Sequence, residues 1–350
     1  MSEYLRILLI KPGALGDLLQ ITPVVRALAD KYPGSEISMV VGNAPSVDLF
    51  RHNPLIHETI VFDRRREHDS WFPFIHLWNR IRRGRYDLVI HFQRSNLKVW
   101  LLAVAALPCR ILVYHKARGR TVHAVLNHLE TLAPLGISPT DVDPRLEFDP
   151  GPEGRRFAAE LLGRTGHTDR HAVALNPGAS HPVNRWNPDS FAALARRLVL
   201  ELQARVILIG GGIEIDLSRK IAEQCGVTVL DLTGKTDVLG LGGVLQSCAL
   251  LVSGDTGPMH MATAVGTPVV ALFGAADPAR TGPVGPGHRV IQAQGVACVP
   301  CRSRTCTHER RLACMDAITV DEVYRAVAEL LSQQASIQGS TSSPRTEIFT

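Results

Sequence analysis

Short apolar runs alternate with amphipathic segments along most of this chain of 350 residues. Each run has the length and composition of a buried strand, and the segments between the runs repeat their apolar residues at helical spacing. Parallel sheets are covered on both faces, so their strands are nearly continuous apolar runs, as these are. The alternation therefore predicts parallel sheets covered by helices, which is the α/β class.

The predicted elements form two series, separated by a Pro-, Gly- and Asp-rich segment at residues 138–154. We predict two Rossmann-like, doubly wound domains, at residues 1–150 and 151–335, followed by a disordered tail at 336–350. Two such domains that face each other enclose a cleft lined by strand ends, where ligands bind in open α/β sheets. Strands are predicted at residues 5–10, 36–41, 88–92, 110–114, 172–176, 206–210, 228–232, 250–253 and 268–272, and helices at 18–31, 97–107, 122–135, 188–202, 214–224, 238–246 and 320–333.

Composition agrees with a folded protein, since 45% of the residues are hydrophobic and 20% are charged. The apolar stretch at residues 5–10 is far shorter than the roughly 20 residues of a membrane span, and a Gly- and Pro-containing turn follows it in place of a cleavage signal. We therefore expect a cytoplasmic protein. Neither half contains a G-x-G-x-x-G sequence, which disfavours a nicotinamide dehydrogenase.

Positive charge is concentrated in one part of the first predicted domain. Residues 51–120 contain 14 Lys or Arg against 5 Asp or Glu, a net charge of +9, whereas the whole chain carries +5. Such a region attracts an anionic membrane surface, a phosphorylated glycolipid or a nucleic acid. No RNA-binding aromatic motif or helix-turn-helix pattern supports nucleic acid, and a solvated basic face without a ligand is the remaining interpretation.

Residues 249–274 read as a buried strand, a polar turn, a short helix opened by Gly257 and Pro258, and a second strand. A helix that begins at the carboxyl end of a strand presents unpaired N–H groups and a partial positive charge, and so favours an anion such as phosphate. Asp255 in this turn would repel phosphate, so we expect it to accept hydrogen bonds from sugar hydroxyls or from the turn. An ordinary strand-to-helix connection is the alternative.

Three other polar positions follow predicted strands. Asp17 precedes a helical pattern, so its carboxylate either caps that helix or removes a proton from an acceptor hydroxyl. The turn at residues 176–186 contains Ser180 and Arg185, whose hydroxyl and guanidinium groups are suited to holding a diphosphate. Asp231 is a candidate to hydrogen-bond a ribose, or a simple turn former.

The chain resembles glycosyltransferase family 9, the ADP-heptose:lipopolysaccharide heptosyltransferases, in three motifs. In chain order they are RILLIKPGALGDLLQITPVVRAL, NPGASHPVNRW, and SGDTGPMH with FGAADPARTGP. The resemblance extends over about residues 5–330 and implies a GT-B architecture with two Rossmann-like domains. It also implies a metal-independent, inverting transfer from a nucleotide-diphosphate sugar to an acceptor held by the N-terminal domain.

The resemblance also assigns roles to single residues. It places the catalytic carboxylate on Asp17, and we predict acceptor contacts at Gly16 and Gln93. Family members commonly have Lys at the position of Asn184, so we predict that Arg185 contacts the donor phosphates instead. The other donor-binding residues that it implies are Ser180, Asp255, Thr256, Gly257 and His260.

Four of the seven cysteines lie within 17 residues and begin with a C-x-x-C: Cys298, Cys301, Cys306 and Cys314. In a cytoplasmic chain this spacing favours a structural zinc or iron site over disulfides. Reduced thiols without metal and redox pairing are the alternatives. A site with four protein ligands has no open position for chemistry, so a metal bound here would be structural. We expect catalysis to require no cofactor, because helix N–H groups and Arg185 can absorb the charge of the leaving group.

Together these features predict an inverting glycosyltransferase that moves a heptose from ADP-heptose to a hydroxyl of the lipopolysaccharide core or a related phosphorylated glycolipid. We expect it to act at the cytoplasmic face of the inner membrane, with the basic region directed to the anionic surface. Two alternatives remain open. One is a GT-B transferase with another nucleotide sugar or a protein acceptor, and the other is a catalytically silent sugar-nucleotide-binding protein.

Overall fold

The computed structural model describes residues 5–63, 70–93, 97–117, 119–163 and 171–341. Its strands are β1 (Arg6–Ile10), β2 (Glu36–Val41), β3 (Glu58–Val61), β4 (Leu88–His91), β5 (Arg110–Val113), β6 (Ala172–Asn176), β7 (Arg205–Leu208), β8 (Leu230–Asp231), β9 (Leu250–Gly254), β10 (Val269–Phe273) and β11 (Arg289–Gln292). They form two sheets, in the orders β3-β2-β1-β4-β5 and β11-β10-β9-β6-β7-β8, and neighbouring strands pair in parallel.

The strand order reverses once in each sheet, between β1 and β4 in the first and between β6 and β9 in the second. This is the order of a Rossmann-like doubly wound domain, and a crevice opens outside the carboxyl ends of the strands at such a reversal. The α/β prediction and the two doubly wound sheets are therefore confirmed. The turns singled out in the sequence follow β1, β4, β6 and β9, the four strands at the two reversals.

Helices cover both sheets. They are α1 (Leu15–Leu19), α2 (Thr22–Lys31), α3 (Trp71–Arg83), α4 (Leu97–Ala105), α5 (Ala124–Leu129), α6 (Gly151–Gly163), α7 (Pro188–Leu202), α8 (Ile215–Cys225), α9 (Val238–Gln246), α10 (Gly257–Ala264), α11 (Pro278–Thr281), α12 (Ala313–Asp316) and α13 (Val320–Thr341). In the part of the chain that the structure describes, none of them is both long and apolar enough to span a membrane.

Strand β1 illustrates how the sheets are covered. Ile7 and Leu9 point to one face and join a core that also contains Met259 from the second domain. Leu8 and Ile10 point to the other face and join a separate core under α3 and α4. Because side chains alternate along a strand and both faces are buried, the whole strand is apolar. One buried core thus runs continuously from the first domain into the second.

Several elements differ from the prediction, which included none of the helices α3, α6, α11 and α12. The helix predicted at residues 122–135 is α5 followed by a 3₁₀ helix, Glu130–Leu135, that contains Pro134. The helix predicted at residues 18–31 is two helices, because Pro23 lacks an N–H and begins α2 within its first turn. Strands β3 and β11 were not predicted, and both lie at a sheet edge, where their side chains are less buried. Helix α13 continues to Thr341, six residues into the predicted tail, since no proline occurs before Pro344. Residues 342–350 lie outside the described residues.

Candidate functional site

The carboxyl ends of the two sheets enclose a cavity of about 220 Å³ between the domains. Tyr114 and Asn127 line it from the first domain, and Asn184, Asp255 and Thr281 line it from the second. The cleft expected from the fold is therefore present.

Helices α1 and α10 meet where the domains contact each other. A Cβ built on Gly16 would lie 2.7 Å from Cδ2 of His260 and 3.4 Å from the Cα of Gly257. The two glycines therefore allow a close approach of the backbones that carry the first and third motifs. Gly16 is buried in this contact, and its predicted acceptor contact stays a prediction.

Asp17 lies in the first turn of α1, next to Gly16, and its side chain is exposed. The N-cap of α1 is Ala14, so the interpretation of Asp17 as the capping residue is wrong. Its negative charge acts on Lys11 and on Tyr114 and Asp255, two residues that line the interdomain cavity, although Asp17 itself does not line it. A carboxylate at this position can accept a proton from a group bound in the cleft.

Asp255 is the second carboxylate of the cleft. Its Oδ2 accepts a hydrogen bond from the Thr281 hydroxyl at 3.0 Å, and its Oδ1 lies 3.9 Å from Nε2 of His260. Burial raises the pKa of Asp255 to about 6, and the charge of Asp17 contributes to this rise. Burial also lowers the pKa of His260 to about 4, so its ring is neutral at pH 7. Its Nε2 lies 3.2 Å from Nε2 of Gln20, on the first domain.

The turn between β9 and α10 is held by side chains on its inner side. Nδ2 of Asn176 donates to the hydroxyls of Ser253 and Thr256, each at 3.0 Å, and these hydroxyls lie 2.9 Å apart. Thr256 is the N-cap of α10, but its side chain makes no capping hydrogen bond. Helix α10 therefore begins with N–H groups that no side chain caps, as an anion-binding helix terminus requires.

The turn after β6 contains the two predicted phosphate ligands, Ser180 and Arg185, and their side chains lie in different surroundings. Ser180 is exposed at the tip of the turn. The guanidinium of Arg185 instead donates to the carbonyl oxygen of Ala179 through Nε and Nη2, at 3.0 and 2.8 Å. Trp186 is buried, and its Nε1 donates to the Ile318 carbonyl at 2.9 Å. In this structure Arg185 and Trp186 brace the turn.

Of the predicted catalytic, donor-binding and acceptor-binding residues, Asp255 lines the shared cavity and the others, with Asp231 and Gln93 among them, do not. Oδ1 of Asp231 accepts a hydrogen bond from the backbone N–H of Thr233 at 2.9 Å, which is the geometry of a turn former. Gln93 follows β4, next to the end of β1, and is half-buried. The ring of the preceding His91 is buried and stacks on Trp100, with 4.7 Å between ring centroids. Gln93 thus lies at the same sheet edge as Asp17.

Sequence reasoning missed a buried basic pair beside Asp17. Nζ of Lys11 lies 3.2 Å from Nε2 of His128 and 5.9 Å from the centre of the Tyr114 ring. Burial lowers the pKa of Lys11, whereas the charge of Asp17 raises it. Burial, followed by the charge of Lys11, lowers the pKa of His128 to about 3. A lysine placed directly after a buried strand was the available signal.

The Cys-rich segment, residues 298–314, borders the cleft, which its residues Arg302 and Arg304 line. Its four cysteines line one small cavity together with His308 and Val183. Burial raises the pKa of the Cys314 thiol, and the other three thiols contribute to the rise. In the ranges that the structure describes, however, no three His, Cys, Asp or Glu side chains are grouped so as to hold a metal ion. The thiols share a cavity without forming a complete ligand set.

Comparison with known proteins agrees with this architecture. The lipopolysaccharide heptosyltransferase 3 of Escherichia coli K12 is 28% identical over 288 residues, which cover 75% of this chain and 80% of that protein. A crystal structure of a family 9 glycosyltransferase from Veillonella parvula superimposes with a TM-score of 0.82 at 25% identity, covering 95% and 98% of the two chains. The E. coli ADP-heptose lipopolysaccharide heptosyltransferase II follows with 0.76 at 22% identity, covering 95% and 100%.

Two facing Rossmann-like domains, a shared cleft and these neighbours define a glycosyltransferase of the GT-B fold. The model for glycosyltransferase family 9 (heptosyltransferase) matches residues 74–311. The chain belongs to glycosyltransferase family 9.

Proposed function

We propose that the protein transfers a heptose from ADP-heptose to a hydroxyl of the lipopolysaccharide core or a related glycolipid, with inversion at the anomeric carbon. The observation that supports this proposal is the close approach of α1, which carries the exposed Asp17, to the uncapped N-terminus of α10, next to a turn whose Asp255 lines the interdomain cavity. Family membership and the names of the E. coli relatives support the heptosyl group and the ADP carrier.

Asp17 and the N-terminus of α10 have complementary tasks in such a transfer. Asp17 accepts the proton of the acceptor hydroxyl as its oxygen forms a bond to the anomeric carbon, and the bond from that carbon to the diphosphate breaks on the opposite face. The leaving ADP keeps the bonding electron pair. Uncapped N–H groups of α10 and the Ser180 hydroxyl stabilise its charge, so the scheme requires no divalent cation.

The test is transfer of labelled heptose from ADP-heptose to a deacylated core acceptor. Asp17→Asn should lower kcat by roughly 100- to 10,000-fold while the protein remains folded, because Asp17 is exposed. Asp30→Asn, on the exposed side of α2, is the matched control and should leave kcat unchanged. Normal turnover by folded Asp17→Asn would remove the proposed base.

Competition by ADP against UDP separates the proposed donor from another nucleotide sugar. If ADP stabilises the fold thermally and no transfer or donor hydrolysis occurs with any acceptor, the silent binding protein replaces the enzyme. The relatives carry different designations, heptosyltransferase 3 and heptosyltransferase II, so the acceptor hydroxyl has to be identified by the product linkage.

We also propose that the protein works at the cytoplasmic face of the inner membrane and binds its anionic surface through α3 and the start of α4. Four large apolar side chains are exposed there: Trp71 (59%), Phe72 (74%), Ile75 (51%) and Leu97 (73%). Helix α3 contains three arginines and no acidic residue, and Lys98 lies over the ring of Trp71. Exposed aromatic residues flanked by cations suit the interface of an anionic bilayer.

Part of the basic region is neutralised within the protein. Arg80 pairs with Glu58, and Arg120 pairs with Glu130. Residues 64–66, 94 and 118, which add further arginines to the count, lie outside the described residues. Charge alone therefore does not separate membrane attachment from a solvated basic face. The exposed apolar side chains favour membrane attachment.

Co-sedimentation with vesicles tests this surface. Trp71→Ser with Phe72→Ser should reduce binding to vesicles that contain phosphatidylglycerol, whereas Leu200→Ser, equally exposed on the second domain, should not. Equal binding to neutral phosphatidylcholine vesicles would contradict an electrostatic contribution. Unchanged binding of the double variant would contradict the proposed surface.

For the Cys-rich segment we propose a structural zinc or iron ion bound by Cys298, Cys301, Cys306 and Cys314. The shared cavity and the mutual effect of the thiols on the pKa of Cys314 support it, although the thiols would have to move together. The metal content of the purified protein should be about one ion per chain and should fall in Cys298→Ser but not in Cys109→Ser, outside the cluster. If the purified protein contains no metal, the proposed ion is rejected and the four cysteines are reduced or redox-active thiols.

A further inference from the structure

Three arginines line the interdomain cavity without a protein partner. Arg280 belongs to α11, and Arg302 and Arg304 belong to the Cys-rich segment. Among the described residues, their guanidinium groups form no hydrogen bond or ion pair. Among the described residues that line this cavity, no other is Lys or Arg. The lining also includes two carboxylates, Asp255 and Asp277.

The backbone holds these arginines at the cavity. The N–H of Arg302 donates to the Ala275 carbonyl at 2.7 Å, and Arg302 has a left-handed φ of 55°. The Ser303 hydroxyl donates to the Thr305 carbonyl at 2.7 Å, which closes a tight turn around Arg304. A Cβ on Gly274 would lie 2.9 Å from Sγ of Cys314, so the far end of the segment packs on the carboxyl end of β10.

The turn after β6 supplies no free cation to the same cavity. Position 184, which lines it, is an asparagine, and two donors of the neighbouring Arg185 are directed to the Ala179 carbonyl. A bound phosphate group would therefore need its positive partners from elsewhere. Guanidinium groups bind phosphate through two parallel hydrogen bonds, and three arginines line one cavity here.

We propose that Arg280, Arg302 and Arg304 form an anion subsite that binds a phosphate group in the interdomain cleft. The Cys-rich segment would then contribute directly to ligand binding, in addition to binding the proposed structural metal ion. The proposal rests on the proposed function for the source of the phosphate, which is either the diphosphate of the nucleotide sugar or a phosphate of the acceptor. Both sources offer the same chemistry to the three arginines.

The test compares Arg302→Gln with Arg304→Gln as a double variant against Arg310→Gln with Arg311→Gln. The control pair removes the same charge from the same segment but does not line the cavity. Calorimetric binding of ADP, AMP and adenosine tests the donor source without requiring transfer. The KM for a phosphorylated acceptor and for its dephosphorylated form tests the acceptor source.

For the donor source, the double variant should bind ADP roughly 10- to 100-fold more weakly and adenosine unchanged. For the acceptor source, ADP binding should be unchanged and the KM should rise only for the phosphorylated acceptor. Arg280→Gln, on α11, should reproduce either pattern if the double variant fails to fold. Equal behaviour of variant and control, or equal weakening of adenosine and ADP, would overturn the subsite. If the double variant loses ADP affinity and the unaltered protein transfers no sugar, the subsite is retained and the proposed function is rejected.

Discussion

Nε2 of Gln20 lies 3.2 Å from Nε2 of His260, although 240 residues separate them in the chain. Both side chains are buried, and a Cβ on Gly16 would lie 2.7 Å from Cδ2 of His260. Gln20 caps the carboxyl end of α1, and His260 lies in α10, so the contact ties the two helices together across the domain interface. Asp17 lies between Gly16 and Gln20, and its position relative to the donor turn depends on this contact.

Gly16→Ala should destabilise the domain interface. The added Cβ would lie 2.7 Å from Cδ2 of a ring that is itself buried and cannot move away freely. We expect the free energy of unfolding to fall by about 1–3 kcal/mol, measured by denaturant titration. Gly163→Ala is the control, because no atom of the described residues lies within 4 Å of the position of its Cβ. Equal stability of the two variants would contradict the close approach of α1 and α10.

Asp255→Asn should stabilise the protein at neutral and alkaline pH. The folded pKa of about 6 lies above the ordinary 3.8, so ionisation disfavours the folded state as pH rises through this range. The amide cannot ionise, and we expect a gain of about 1–3 kcal/mol at pH 8 that disappears below pH 4. Thermal and denaturant unfolding at both pH values measure it, with Asp30→Asn as the exposed control. A variant less stable than the parent at pH 8 would contradict the buried carboxylate.

His260→Gln should reduce the loss of stability in acid. Because the pKa of His260 is lowered to about 4, the unfolded chain takes up a proton between pH 6.5 and 4 that the folded protein does not. The folded state therefore loses up to about 1.4 kcal/mol per pH unit over this window as pH falls, and the variant should lose less. Unfolding free energies at several pH values measure the slope. If His76→Gln, at an exposed position on α3, flattens the slope equally, the assignment to His260 is wrong.

Arg185→Met should weaken nucleotide binding by loosening the turn after β6. The substitution removes both hydrogen bonds to the Ala179 carbonyl, next to Ser180, while keeping a long apolar side chain. We expect ADP affinity to fall roughly 10-fold, since about 1–1.5 kcal/mol of hydrogen bonding is lost. Calorimetry measures it, and Arg156→Met, exposed on α6, is the control. A decrease much greater than this would indicate direct contact between Arg185 and the phosphates, as the sequence predicted.

The α/β class, the two doubly wound halves and the turns that carry Asp17, Ser180 and Asp255 could be predicted from the sequence. Each depends on local patterns: an apolar run long enough for a strand covered on both faces, followed by Gly, Pro or a polar residue where the chain turns. Strands β3 and β11 were not predicted, and each buries at most one side chain, as expected where a strand has one neighbour, although the edge strands β5 and β8 were predicted. The sequences of β3 and β11 therefore carry a weaker apolar signal.

Only the tertiary structure decided which side chains of these turns reach the same cavity. Gly16 against His260, Lys11 against His128, and the arginines of the Cys-rich segment beside Asp255 are contacts between residues far apart in the chain. Arg185 was predicted as a phosphate ligand, yet its guanidinium bonds to the turn itself. Spacing in the sequence determines which elements form, because their patterns are local. The direction of a side chain depends on what the packed elements place around it, and no local pattern contains that information.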